Sequence, residues 1–217
     1  MGKIFRLKVW GEYALFTRVE AKVERVSYPV MTPSAARGIL EGIFWKPEFK
    51  WRIKSIHVLK PIQYYSILRN EVASIVPGNI VTSRRDYFTD DNRERQLRHS
   101  IMLRDVAYII TAEMQLVNPT MENKRKYASM FLRRVNKGQC FHRPYLGTRE
   151  CSLHFSLPED DDKAIPDTMD IGPMLFDLKY PKDPGQKNAR VIPYFFDAKL
   201  DRGVLYVPEY LYKEVDG

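Results

Sequence analysis

The 217-residue chain has only two cysteines, Cys140 and Cys151, and they lack metal-ligand spacing. That excludes a disulfide scaffold and a paired-cysteine zinc site, and it fits reduced thiols in a cytosolic protein. No apolar run approaches the roughly 18–20 residues of a membrane-crossing helix. The opening Met1-Gly2-Lys3-Ile4-Phe5-Arg6 has no apolar signal-peptide segment, and Arg6 breaks a myristoylation pattern. There is no Walker loop, no His-Glu-x-x-His and no Gly-x-Ser-x-Gly elbow, so P-loop, zinc-protease and α/β-hydrolase chemistry lack their signatures. The four histidines, His57, His99, His142 and His154, are scattered, and Glu159-Asp160-Asp161-Asp162 follows Pro158 as a polar turn. No metal and no cofactor is implied.

The most informative absence is of acidic charge. From Lys124 to Arg149 there is no Asp or Glu, while Lys124, Arg125, Lys126, Arg133, Arg134, Lys137, Arg143 and Arg149 are basic. The chain's 35 Lys and Arg against 27 Asp and Glu give a net +8, so this one window carries the whole excess. A focused positive field attracts polyanions with salt-dependent affinity, which points to nucleic acid. At 44% hydrophobic and 12% aromatic residues the chain is not disordered, and its length suits one large or two small domains.

Hydropathy patterning gives an α+β order. Lys3–Trp10 alternates as a strand. Thr32-Pro33 opens a helix, with Thr32 as N-cap, and Ala36, Ile39, Leu40, Ile43 and Phe44 fall on one face before Pro47. Trp51–Leu59 and Ile62–Val72 suit strands, the second because Tyr64, Tyr65 and Ile67 fit a pleated surface. Val76–Leu97 mixes both charges around Pro77-Gly78-Asn79 and is expected to be a long loop or protruding hairpin. Ser100–Leu116 is a strand. Glu122–Lys137 is a helix stopped by Gly138, with Tyr127, Met130 and Phe131 on its apolar face and Lys126 and Arg133 about 20° apart in a positive stripe. This order suggests a ferredoxin-like or RRM-like domain over residues 1–154, followed by a small Pro-rich antiparallel β domain over 155–217.

Basic residues interleaved with aromatics are the chemistry that remains. Phe141, His142, Arg143 and Tyr145 follow Gly138 closely, and unpaired RNA is held by phosphate contacts and by bases stacked on aromatic or Arg planes. His142 sits among cations, where an imidazole beside a phosphate can act as acid or base. Such a site can cut RNA without a metal. The 2′-hydroxyl attacks the adjacent phosphate, and a cation stabilises the phosphorane. The products are a 2′,3′-cyclic phosphate and a 5′-hydroxyl.

Several stretches resemble CRISPR-associated RAMP proteins of the Cas5 family, subtype I-C (Dvulg). They are Gly11-Glu12-Tyr13-Ala14-Leu15-Phe16-Thr17, Ser27-Tyr28-Pro29-Val30-Met31-Thr32-Pro33-Ser34-Ala35, Ile43-Phe44-Trp45-Lys46-Pro47, Lys60-Pro61-Ile62, Arg69-Asn70-Glu71-Val72, Leu103-Arg104-Asp105-Val106-Ala107-Tyr108 and, most diagnostic, Lys137-Gly138-Gln139-Cys140-Phe141-His142-Arg143-Pro144-Tyr145-Leu146-Gly147-Thr148-Arg149-Glu150. The resemblance implies a ferredoxin-like domain and a metal-independent endoribonuclease acting on CRISPR repeat RNA. It also implies that the protein stays on the guide 5′ handle within a surveillance complex. The family's catalytic Tyr falls on Phe44, and its Lys-His pair falls on Lys126 and Tyr127. Lys46, Lys124, Arg125, Arg133, Arg134, Lys137, Arg143 and Arg149 are the expected RNA contacts. A weakly active or inactive RNA-binding assembly subunit is the alternative, with duplex DNA as a further, non-specific partner.

Overall fold

A computed structural model describes residues 2–21, 23–72, 95–179 and 191–216, with Gly78, Thr82 and Pro181. Of the charge-mixed stretch expected to be a long loop or a protruding hairpin, most lies outside the described residues, and its end, Arg95–Leu97, is strand paired with Asn70–Val72.

The strands are β1 (Lys3–Ala14), β2 (Arg25–Val26), β3 (Phe49–Val58), β4 (Tyr64–Val72), β5 (Arg95–Leu116), β6 (His154–Ser156), β7 (Met169–Lys179), β8 (Ile192–Asp201) and β9 (Val204–Tyr206). The helices are α1 (Pro33–Ile43), α2 (Met121–Asn136) and α3 (Tyr210–Asp216). None of the described helices is long and apolar enough to cross a membrane.

One sheet runs β6-β1-β5-β3-β9-β8-β7, with neighbours antiparallel, and β2 and β4 join it through β5. Alternation decides which face is covered. Phe5, Leu7 and Val9 of β1, Trp51 and Ile53 of β3, and Tyr108, Ile110, Ala112 and Met114 of β5 are all buried. They meet the apolar stripes of α1 (Ala36, Ile39, Leu40, Ile43) and α2 (Tyr127, Phe131, Val135). Phe5, Trp51 and Phe131 pack ring to ring, with centroids 5.0–5.7 Å apart. Each such pair adds about 0.5–1.5 kcal/mol beyond area burial.

The 22-residue β5 changes partners along its length. Arg95–Leu103 pairs with β4 and Ser100–Ile101 with β2, whereas Leu103–Met114 pairs with β1 and Tyr108–Leu116 with β3. At the changeover Asp105 adopts φ 51° and forms an ion pair with Lys60 at 2.6 Å. In β3 the register slips between Ile53 and Ser55. The Tyr212 hydroxyl satisfies both orphaned backbone groups of Ile53, accepting from its N–H at 2.6 Å and donating to its carbonyl at 3.0 Å. Beyond the β8–β9 turn, where Arg202 and Gly203 both have positive φ, the chain ends in α3. Pro173 is tolerated in β7 because that strand is the sheet edge.

Candidate nucleic-acid groove

The groove is built on α1. The Thr32 hydroxyl accepts from the Ala35 N–H at 3.2 Å and Pro33 opens the first turn, as the sequence indicates. Arg37 donates to Glu41 at 2.9 Å and to Asp177 of β7 at 2.7 Å, fixing the helix against the edge strand. Burial opposes the Arg37 charge, and the two carboxylates overcome it and raise its pKa. At the other end Arg134 of α2 reaches across, donates to the Ile43 carbonyl at 2.7 Å and lies 5.1 Å over the Phe44 ring. The Trp51 indole donates to the Phe44 carbonyl at 2.9 Å. These anchors turn the chain so that Trp45 leaves the core 53% exposed.

The facing wall follows α2. Gly138, at φ 62°, donates to Val135 O, and Gln139 donates to Arg134 O, a Schellman ending that only a residue tolerant of positive φ closes without strain. The Phe141 and His142 N–H groups then both donate to the Gly42 carbonyl, at 2.9 and 3.0 Å. Further on, Leu15 donates to Leu146 O at 3.0 Å. Gly147, at φ 87°, packs so closely that a Cβ there would lie 2.0 Å from Leu15 O. The loop is thus pinned at both ends. Between it and α1 lies an open groove of about 1120 Å³.

The expected site residues fall into three groups. His142, Arg143 and Arg149 line the groove together with the rings of Trp45, Phe141 and Tyr145. Phe44 and Tyr127 are buried, 6.4 Å apart, and pack with Phe49. Burial and the Glu48 carboxylate push the Tyr127 phenol up. Arg134 is half-buried between the helices, its guanidinium occupied as described. Arg125, Lys126, Arg133 and Lys137 form the third group, on the exposed side of α2 and its C-cap, while Lys124 and Lys46 are partly buried. The Lys126 ammonium lies 5.7 Å from the Tyr127 ring centroid, and none of these α2 cations lines the groove with His142. Among the described residues no three His, Cys, Asp or Glu side chains are grouped so as to hold a metal ion. Both cysteines are free, Cys140 exposed and Cys151 buried.

Sequence reasoning missed the groove floor. Ser34, Ala35, Gly38 and Gly42 line it from one side of α1. The signal was small residues at the i, i+4 spacing of Ser34, Gly38 and Gly42, opposite the apolar stripe.

A family model described as "CRISPR-associated protein (Cas_Cas5)" matches residues 4–208. The chain is 45% identical, over 97% of its length and 93% of the relative's, to the "CRISPR pre-crRNA endoribonuclease Cas5d" of Thermus thermophilus. It is 42% identical, over 99% of both chains, to the protein of the same name from Mannheimia succiniciproducens. Among solved structures, a "CRISPR-associated Protein" superposes with a TM-score of 0.66 at 21% identity, covering 95% of this chain and 92% of that one. A functionally uncharacterized protein from Streptococcus mutans gives 0.65 at 22% identity, covering 95% and 93%. The chain belongs to the CRISPR-associated Cas5 family, in its Cas5d (type I-C) branch.

Proposed function

We propose that the protein is an endoribonuclease that cuts CRISPR repeat precursor RNA without a metal. One observation carries the activity: near-full-length identity to two proteins named pre-crRNA endoribonucleases. The groove supplies the chemistry. The 2′-oxygen forms a bond to phosphorus, the bond from phosphorus to the 5′-oxygen breaks, and a 2′,3′-cyclic phosphate and a 5′-hydroxyl result. The 2′-hydroxyl gives up its proton as it attacks and the 5′-oxygen takes one up as it leaves; His142, held by its backbone to Gly42, carries one of these transfers and bulk water the other, while Arg143 stabilises the phosphorane charge. Lys126 adds positive potential from α2. Tyr127, its phenol pushed up, keeps its proton at neutral pH. Phe44 has no hydroxyl, and both rings act by setting the helix junction.

Lys46, Lys124, Arg125, Arg133, Lys137 and Arg149 bind the RNA phosphates, and duplex DNA is a weaker ligand of the same cations. Arg134 supports the junction. The order β1-α1-β3-β5-α2-β6, with sheet order β6-β1-β5-β3, supports a ferredoxin-like unit over residues 1–154. Residues 155–217 form its small β extension, with β6 at the boundary. In the cytoplasm the product stays bound by its 5′ end, as part of a type I-C surveillance complex. The burial of Phe44 and Tyr127 favours a second reading, a subunit that binds and assembles without turnover.

The test is incubation with repeat hairpin RNA in EDTA, followed by end-group analysis. A cyclic-phosphate end is expected. Intact RNA that is nonetheless tightly bound overturns the nuclease reading in favour of the second.

A further inference from the structure

We infer that Glu150 is a positioning residue: gripped by Arg69 of β4, it fixes the loop tip from which Arg149 meets the RNA, although neither Arg69 nor Glu150 lines the groove. The inference rests on the reading of Arg149 as an RNA contact and adds what holds that contact in place.

The sheet creates the demand for this carboxylate. In β4, Ile67, Arg69 and Glu71 alternate onto the half-buried face. The antiparallel register sets Arg98 of β5 directly opposite Arg69, and like charges so placed repel. Arg25 of β2 brings a third guanidinium. Glu71 is shared among all three, paired with Arg69 and lying 3.5 Å from Arg25 and 3.7 Å from Arg98. One carboxylate against three guanidinium groups leaves an excess of positive charge. The second carboxylate, Glu150, comes from the loop, 81 residues away in sequence. Arg69 donates from Nη1 to Glu150 at 3.1 Å and from Nη2 to Glu71, so one planar fork joins strand and loop. An isolated surface pair contributes little, but here the Arg69 side chain is only 16% exposed and five charges form a network.

The loop passes the grip on to the groove. Leu146 donates to Cys151 O at 2.8 Å, Cys151 donates to Thr148 O at 3.0 Å, and Tyr145 bridges Ser152. Residues 145–152 therefore fold back on themselves, with Arg149 at the tip. On one side of the tip Gly147 is set against Leu15. On the other, the Glu150 carboxylate accepts from its own N–H, from the Thr148 hydroxyl and from Arg69, which together hold it below the usual carboxylate range against desolvation. Arg149, between these two anchors, lines the groove. Releasing Glu150 from Arg69 frees one anchor and lets Arg149 swing out of place.

Glu150→Gln tests the inference by sign. The amide oxygen keeps the local hydrogen bonds and the side chain is 61% exposed, so the melting temperature should stay within about 2 °C of wild type. By charge alone, removing an anion beside a phosphate site tightens RNA binding. Loss of positioning does the reverse. In fluorescence anisotropy with repeat hairpin RNA, Glu150→Gln should weaken binding about three- to tenfold and lower the salt slope by about one, as Arg149→Ala does when one phosphate contact is lost. In the Arg149→Ala background Glu150→Gln should weaken binding no further, and adding it to Arg69→Gln should have no further effect either. Hydrogen exchange of residues 145–152 should rise about fivefold in Glu150→Gln and in Arg69→Gln, with the helices unchanged. Tighter or unchanged binding in Glu150→Gln, or additive losses in either double variant, overturns the inference. Repeat RNA left unbound by wild type overturns it together with the RNA reading. Cleavage run in parallel separates the claims. Wild type that binds without cutting, with the expected Glu150→Gln loss, rejects the nuclease alone. Wild type that cuts, with Glu150→Gln binding equally well, rejects the positioning alone.

Discussion

Three glycines in three environments make the loop architecture quantitatively testable. Gly147 adopts φ 87°, and a Cβ there would sit 2.0 Å from the Leu15 carbonyl oxygen and 2.6 Å from its carbon. Alanine there meets left-handed strain of about 1–2 kcal/mol. It also displaces a backbone carbonyl that cannot swing away as a side chain does, adding about 1–3 kcal/mol. The sum, about 2–5 kcal/mol, lowers the melting temperature by roughly 5–15 °C in a chain of this size. Gly138 shares the positive φ, at 62°, but has nothing within 4 Å, so alanine there costs only about 1 kcal/mol. Gly38 is helical with nothing near it, and alanine should stabilise by up to about 1 kcal/mol. Urea melts of Gly147→Ala, Gly138→Ala and Gly38→Ala, read by circular dichroism with the slope checked for constancy, give the three values. A Gly147→Ala protein as stable as Gly138→Ala would refute the tight contact between the loop and the end of β1.

Other outcomes follow from the same geometry. In single-turnover cleavage His142→Ala should lower the rate about 10²–10⁴-fold with little change in RNA affinity, the mark of a transition-state role; equal losses of both would make His142 a binding residue. Lys126→Ala should reduce the salt slope of binding by about one, measured across a salt titration. Arg134→Met strips the charged donor from the Ile43 carbonyl and should cost about 2 kcal/mol in a denaturant melt, with the salt slope of RNA binding unchanged. Acidification should destabilise the fold in two steps. His57 is held below its ordinary pKa by burial and by Arg6, so its stabilisation is present above about pH 6.5 and is lost as pH falls through its lower folded value. Glu113 is held below the usual carboxylate range by the hydrogen bond from Lys54, despite opposing desolvation, so its contribution disappears below about pH 4. Glu113→Gln should flatten the acid limb of a melting-temperature profile.

Local signals account for what could be read in advance. Thr32-Pro33 marks the start of α1 and Gly138 the end of α2, because caps and positive-φ positions are decided by neighbouring residues. The acid-free window correctly marked the cation-rich helix and loop. Which of its cations share a surface was not legible, because that depends on how α2 crosses α1. Arg134 reads as one more exposed cation until the Ile43 carbonyl appears beside it. Lys126 and His142 look like partners along the chain, yet only His142 reaches the groove. The third helix escaped notice because Tyr212 becomes meaningful only against Ile53 and Phe176, far away in sequence.

The length of β5 carries a mechanical consequence. The ribbon it forms with β4 and the central layer it shares with β1 are made from one uninterrupted strand, stitched at the Lys60–Asp105 crossing. A pull on that ribbon is therefore borne by covalent backbone and by a ladder loaded in shear, and it arrives in the layer that α1 and α2 cover, α1 being the floor of the groove.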